Sequence, residues 1–229
     1  MTLRQVGARA ASTALIVIVV SAVAALWPAS ARASAPTQIA VIGDSYTTGS
    51  DQGSDGSRSW PVLAWQLLSE RGMDVDADVA AEDGAGYWQR GNRGNVFEDL
   101  TARAVQPEDV LVVFFGSRND QSAAPGQFPG SAAGTFQWAR LVALAAKFLV
   151  IGPLWPTDSA PPALLTIRDN LRQQAALAGA VFVDPIAERW FVDRPDLIGL
   201  DGVRPTDAGQ VYLARQIAPL IYDQLTITV

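Results

Sequence analysis

The 229-residue chain contains no histidine and no cysteine. Without histidine, no side chain titrates near neutrality at its ordinary pKa, so a general base for neutral-pH catalysis is missing from the usual place. Without cysteine there is no disulfide framework, no thiolate nucleophile and no sulfur ligand. With imidazole gone as well, a transition-metal site is disfavoured. No run of Asp and Asn has the spacing of a calcium loop. The expectation is therefore a protein with no metal and no cofactor. Basic residues form no stripe, and the net charge is −6, which argues against nucleic acid as a partner. No Gly-rich phosphate loop follows the first apolar run, which speaks against a nucleotide or flavin binder.

A long hydrophobic run does occur at the start. Arg4 and Arg9 precede an apolar stretch from Ala10 to Trp27, and small residues follow at Ala31-Arg32-Ala33. This order is that of a secretory signal peptide covering residues 1–33, with cleavage before Ser34. The arginines are not adjacent, so the general secretory route is expected, with a secreted, extracytoplasmic product. The alternative is an uncleaved membrane anchor, because a run of about 18 residues borders on spanning length. The leader carries Arg4, Arg9 and Arg32 but no acid, so the remainder is more acidic than the whole chain. Residues 34–229 suit one domain, expected to be monomeric, that can bury a core without disulfides.

Beyond the leader, short apolar runs alternate with longer amphipathic segments, the pattern of an α/β fold on a parallel sheet. Strands are expected at 38–42, 75–81, 110–115, 148–151 and 181–183. Helices are expected at 59–70, 96–105, 136–147 and 162–178, with a last one after Thr206. Val211, Ala214, Ile217, Ile221 and Leu225 mark that helix's apolar face. The Gly-, Ala- and Ser-rich stretches 89–95 and 121–134 read as loops.

Three short motifs follow strand ends or precede the last helix. Gly43-Asp44-Ser45 places a hydroxyl on a tight strand-to-helix turn, where it can attack a carbonyl carbon. Standing alone, the tripeptide is also a common turn. Gly116-Ser117-Arg118-Asn119-Asp120 follows the strongest strand, and an Asn119 amide can donate to a developing oxyanion or close the loop as an Asx-turn. Gly84 follows the second strand and can offer a further N–H, with Gly86 as the competing candidate. Asp201-Gly202-Val203-Arg204 precedes the final helix. In open parallel sheets ligand-binding groups collect beyond the carboxyl ends of the strands, so the strand-end motifs should share one rim. Tyr46, Trp88 and Trp155 fall near it in sequence, and flat aromatic faces suit sugar rings or acyl chains.

Together these motifs, over roughly residues 38–222, resemble the SGNH (GDSL-type) hydrolases. The resemblance implies a three-layer α/β/α, flavodoxin-like fold with about five parallel strands. It implies Ser45 as nucleophile and the Ser45 N–H, Gly84 and Asn119 as the oxyanion hole, with Asp201 and a histidine completing a triad. Tyr46 and Trp155 become candidate substrate contacts. A small-molecule, glycan or lipid ester is the implied ligand. The third block departs from the commoner Gly-x-Asn-Asp form by one extra residue.

The departure with chemical weight is Arg204, which stands where the family's Asp-x-x-His motif has its histidine. A guanidinium stays protonated at any physiological pH, so it cannot take the serine proton, and it is expected to pair with Asp201. The sequence thus supports two readings. One is an exported, esterase-like protein that is impaired or inactive. The other is a non-catalytic binder of an envelope glycan or acyl group on the same fold.

Overall fold

A computed structural model describes residues 35–49, 56–116, 118–124 and 126–227. The expected leader, 1–33, lies outside the described residues. Five parallel strands form one sheet: β1 (Thr37–Gly43), β2 (Val75–Ala81), β3 (Leu111–Phe115), β4 (Lys147–Ile151) and β5 (Val181–Val183). Their order is β2-β1-β3-β4-β5, so the chain reverses its winding direction between β1 and β3. Gly43 pairs with Phe115 at that switch point, and a crevice at the carboxyl ends follows from the geometry.

Among the described residues six α-helices flank the sheet: α1 (Ser45–Thr48), α2 (Trp60–Ser69), α3 (Phe97–Ala104), α4 (Gln127–Val142), α5 (Pro162–Leu177) and α6 (Asp207–Thr226). The period of two along the strands divides the core. Ile39, Val41, Val113 and Phe115 face α2 and α6, where Trp60, Leu68, Leu213 and Ile217 pack on them. Ala40, Ile42, Val112 and Phe114 face α3, α4 and α5, meeting Phe97, Leu100, Phe136 and Leu171. A strand buried on both faces must read as a continuous apolar run, and β3 is five consecutive fully buried side chains. The parallel α/β architecture expected from the sequence is the one observed.

One element differs markedly. The stretch 121–134 read as a loop, but α4 begins at Gln127 and ends at Val142, not Lys147. Pro129 lies in the first turn, where helix N–H groups have no intrahelical partner and its missing donor costs nothing. Phe128, Ala132, Thr135, Phe136 and Ala139 then form one buried face at helical spacing. Packing overrides the poor propensity of two glycines. Two smaller corrections concern α2 and α6. Ser59 occupies the N-cap of α2, but its hydroxyl donates back to the Gly56 carbonyl instead of capping. Val211, expected on the apolar face of α6, is exposed, while Leu213 is buried.

Candidate functional site

Ser45 opens α1 directly after β1. The Asp44 carboxylate caps this helix, accepting the Tyr46 N–H at 2.9 Å. Ser45 is 5% exposed, and its hydroxyl makes no hydrogen bond among the described residues. As the first residue of the helix, its N–H has no intrahelical acceptor. The turn is locked from behind by Gln210 of α6, which is fully buried. Its amide nitrogen donates to the Tyr46 carbonyl at 3.1 Å and the Gly49 carbonyl at 2.8 Å. Its amide oxygen accepts the Trp60 N–H at 2.7 Å, supplying the cap that Ser59 does not. The sequence reading passed over Gln210; the available signal was a polar residue on the inward face of an amphipathic helix.

The loop after β2 is tied to this turn. Glu82 N–H donates to the Gly43 carbonyl at 3.2 Å, and the Thr48 hydroxyl donates to Asp83 at 2.6 Å. The two glycines left open by the sequence differ here. Gly86 donates its N–H to the Gln89 carbonyl at 2.9 Å, and a Cβ on it would stand 2.4 Å from an Asp120 oxygen. Gly86 is thus a point of close approach with its donor occupied. Gly84 has φ +77, and its N–H makes no hydrogen bond among the described residues.

Residues 89–95 read as a loosely held loop, yet their backbone is tied down. Glu82, almost fully buried, accepts the N–H groups of Arg93 and Asn95 and the Asn95 amide. Asp120 accepts the N–H groups of Tyr87, Trp88 and Gln89 at 2.8–3.0 Å. Burial raises the pKa of Asp120, and those three donors offset part of the rise. Both carboxylates act as backbone clamps for the loop that carries Gly84 and Gly86.

Asn119 reaches toward the same point. Its amide nitrogen donates to the Ala85 carbonyl at 2.8 Å and to an Asp44 oxygen at 3.3 Å. Gly116 makes that approach possible: it has φ +147, and a Cβ there would lie 2.8 Å from Asp44. Asp44 is fully buried, and burial pushes its pKa up to about 7, against the lowering effect of the Tyr46 N–H. An oxyanion at Asn119 would compete with Asp44 for the weaker of the two bonds.

Asp201 and Arg204 face each other on an exposed turn. The Arg204 Nε stands 3.2 Å from Asp201, and the other Asp201 oxygen accepts the Val203 and Arg204 N–H groups. Desolvation opposes ionisation of Asp201, but those donors and the Arg204 charge outweigh it and hold its pKa below the usual range. The carboxylate that would orient an imidazole is therefore engaged by a cation.

Arg118, within the longer third block, spans the gap between these parts. Its Nη1 donates to the Tyr46 hydroxyl at 3.1 Å and the Gly202 carbonyl at 3.3 Å. Its guanidinium carbon sits 5.0 Å from the Trp155 ring centre. Trp155 is half-buried at the rim. Tyr46, by contrast, is fully buried and stacks on Phe115 at 5.7 Å, so its ring offers no face to a ligand and only its hydroxyl meets Arg118.

Two clefts lie away from Ser45. One, about 600 Å³, runs between α4 and α5; the other, about 480 Å³, adjoins Tyr87–Arg90. Neither is lined by Ser45, Asn119 or Asp201, so the chemistry is assigned from the motif residues and not from cleft size. Among the described residues no group of three or more carboxylates is placed to hold a metal ion.

The chain and its fold are similar to known proteins. Residues 41–211 match the model of the GDSL-like lipase/acylhydrolase family. GDSL lipase Rv0518 of Mycobacterium tuberculosis is 60% identical over 190 residues, covering 82% of each chain. In three dimensions the chain is similar to TesA, with TM-score 0.65 and 23% identity over 82% of this chain and 99% of that one. It is equally similar to the psychrotrophic esterase EstA of a Pseudoalteromonas species, with TM-score 0.65 and 15% identity over 83% and 100%. A family two carbohydrate esterase of Clostridium thermocellum, solved with cellohexaose, gives TM-score 0.61 and 16% identity over 83% and 66%. With its Gly-Asp-Ser turn at the sheet switch point and that match over most of its length, the chain belongs to the GDSL-like lipase/acylhydrolase family.

Proposed function

We propose that this protein is an exported member of the family that holds an ester-bearing ligand at Ser45 but hydrolyses it poorly or not at all. The observation that carries this reading is the Arg204–Asp201 pair at 3.2 Å in a chain without histidine. Attack by Ser45 requires a base to take its proton, and a guanidinium has no lone pair to offer. Loss of the base from a serine triad costs roughly 10⁶-fold in turnover, leaving roughly 10³–10⁴ over water from the oxyanion hole and binding. The groups that would bind a carbonyl, the Ser45 N–H, Gly84 and Asn119, are kept, which supports retained recognition of a glycan or lipid ester. The carbohydrate esterases and the lipase among its relatives support the same ligand classes. Export rests on the basic, apolar and small-residue order of residues 1–33.

The test is p-nitrophenyl acetate hydrolysis by the wild type, Ser45→Ala and Arg204→His. The expected result is no Ser45-dependent rate in the wild type and a measurable one in Arg204→His. Brisk, Ser45-dependent turnover by the wild type would sink the proposal.

A further inference from the structure

We infer that Arg118 is a specificity-determining residue that selects ligands carrying a carboxylate or phosphate near the ester group. The inference rests on the proposed ligand site at Ser45 and concerns which ligand that site takes. Arg118 follows the end of β3 and directly precedes Asn119, and its guanidinium meets the hydroxyl of Tyr46, the residue after Ser45. The guanidinium is held at one corner. Nη1 meets two uncharged oxygens, the Tyr46 hydroxyl and the Gly202 carbonyl, and the Trp155 ring backs the group at 5.0 Å. These contacts fix its orientation without neutralising it. Among the described residues no carboxylate lies within ion-pair distance of Arg118, whereas Arg204 has Asp201. A guanidinium has five N–H donors in a planar fork. Nε and Nη2 make no hydrogen bond among the described residues, and together they form the edge that binds a carboxylate or phosphate through two parallel bonds.

The surroundings sharpen the selection. The chain is acidic overall, so an uncompensated cation on this rim runs against the general field. Arg204 and Asp201 neutralise one another, and Asp44, the other nearby carboxyl, holds its proton up to about pH 7. An anionic substituent would therefore meet attraction from Arg118 with little opposing charge. A neutral ester would leave the guanidinium's fork edge with water alone.

Binding to the wild-type chain tests this without any turnover, so the outcome is separable from the Arg204→His assay. The probes are monomethyl succinate and dimethyl succinate, which differ by one charge, titrated by calorimetry or by tryptophan fluorescence at pH 6, below the Asp44 pKa of about 7. The wild type is expected to bind the monoester at least about tenfold more tightly. Arg118→Gln is expected to abolish the preference, and Arg118→Lys to retain part of it because the charge stays. Raising the salt from 0.05 to 0.5 M should shrink the wild-type preference. Equal affinity for the two esters, no binding of the monoester, or a preference that survives Arg118→Gln would overturn the inference. Near-ultraviolet circular dichroism of Arg118→Gln matching that of the wild type, with the preference lost, separates ligand recognition from collapse of the 201–204 turn.

Discussion

Asp44 is the residue whose physics reaches furthest. It caps the helix that carries Ser45, accepts from the Asn119 amide and does so fully buried. Burial raises its pKa to about 7 in the fold, whereas an exposed aspartate in the unfolded chain titrates near ~3.9. Between those values the folded chain binds more protons than the unfolded one. Stability therefore falls as pH rises through that window, and the contribution is fully lost above about 7. Asp120 is shifted in the same direction, so the comparison has to isolate Asp44. Urea midpoints of the wild type and Asp44→Asn at pH 5 and pH 8 provide it. The wild type should lose on the order of 2 kcal/mol more than the variant between the two pH values. The variant itself should be less stable at pH 5, because an amide there turns N–H toward the Asn119 N–H. Equal pH dependence in both proteins would show that Asp44 ionises normally.

At the scale of elements, what was legible in the sequence depended on how each one is stabilised. Strands β1 and β3 are buried on both faces, so their apolar runs announce them, and both ends carry the motif glycines. Helix α4 was misplaced because its segment is rich in Gly, Ala and Ser, and its helical face depends on Phe128, Phe136 and Ala139 finding the sheet. The site divided along the same line. Ser45, Asn119 and Asp201 sit in short local motifs that sequence spacing displays. Gln210 and Arg118 act across 150 or more and 72 residues of sequence, and local spacing carries no trace of such pairs. The helical assignment makes its own prediction at Gly130, an exposed position in α4 where a Cβ would meet nothing within 4 Å. Gly130→Ala should stabilise the protein by about 0.5–1 kcal/mol, through helix propensity and a less free unfolded chain. A denaturation midpoint that stays put or falls would return that stretch to a loop.

For the molecule as a whole, the site has no scaffold of its own. Ser45 comes from the end of β1, Gly84 from the end of β2, Asn119 from the end of β3, and Asp201 with Arg204 from the turn before α6. These pieces are joined by groups that also belong to the core. Gln210 couples α1, α2 and α6, Glu82 and Asp120 bind the loop after β2, and the Glu82 N–H meets the carbonyl of β1. Detaching the rim would strip hydrogen bonds from buried carboxylates and a buried amide, and each such loss costs about 1–3 kcal/mol. Local opening of the site should therefore lie close in free energy to global unfolding, unlike the separately mobile loops of many binding sites. Trp88 and Trp155 lie on the rim while Trp60 and Trp190 lie in the core, so tryptophan fluorescence reports on both regions. In a urea titration, fluorescence and far-ultraviolet circular dichroism should trace one superimposable transition. An earlier fluorescence transition, complete before the helical signal falls, would mean that the rim detaches first and that its clamps are weaker than their burial implies.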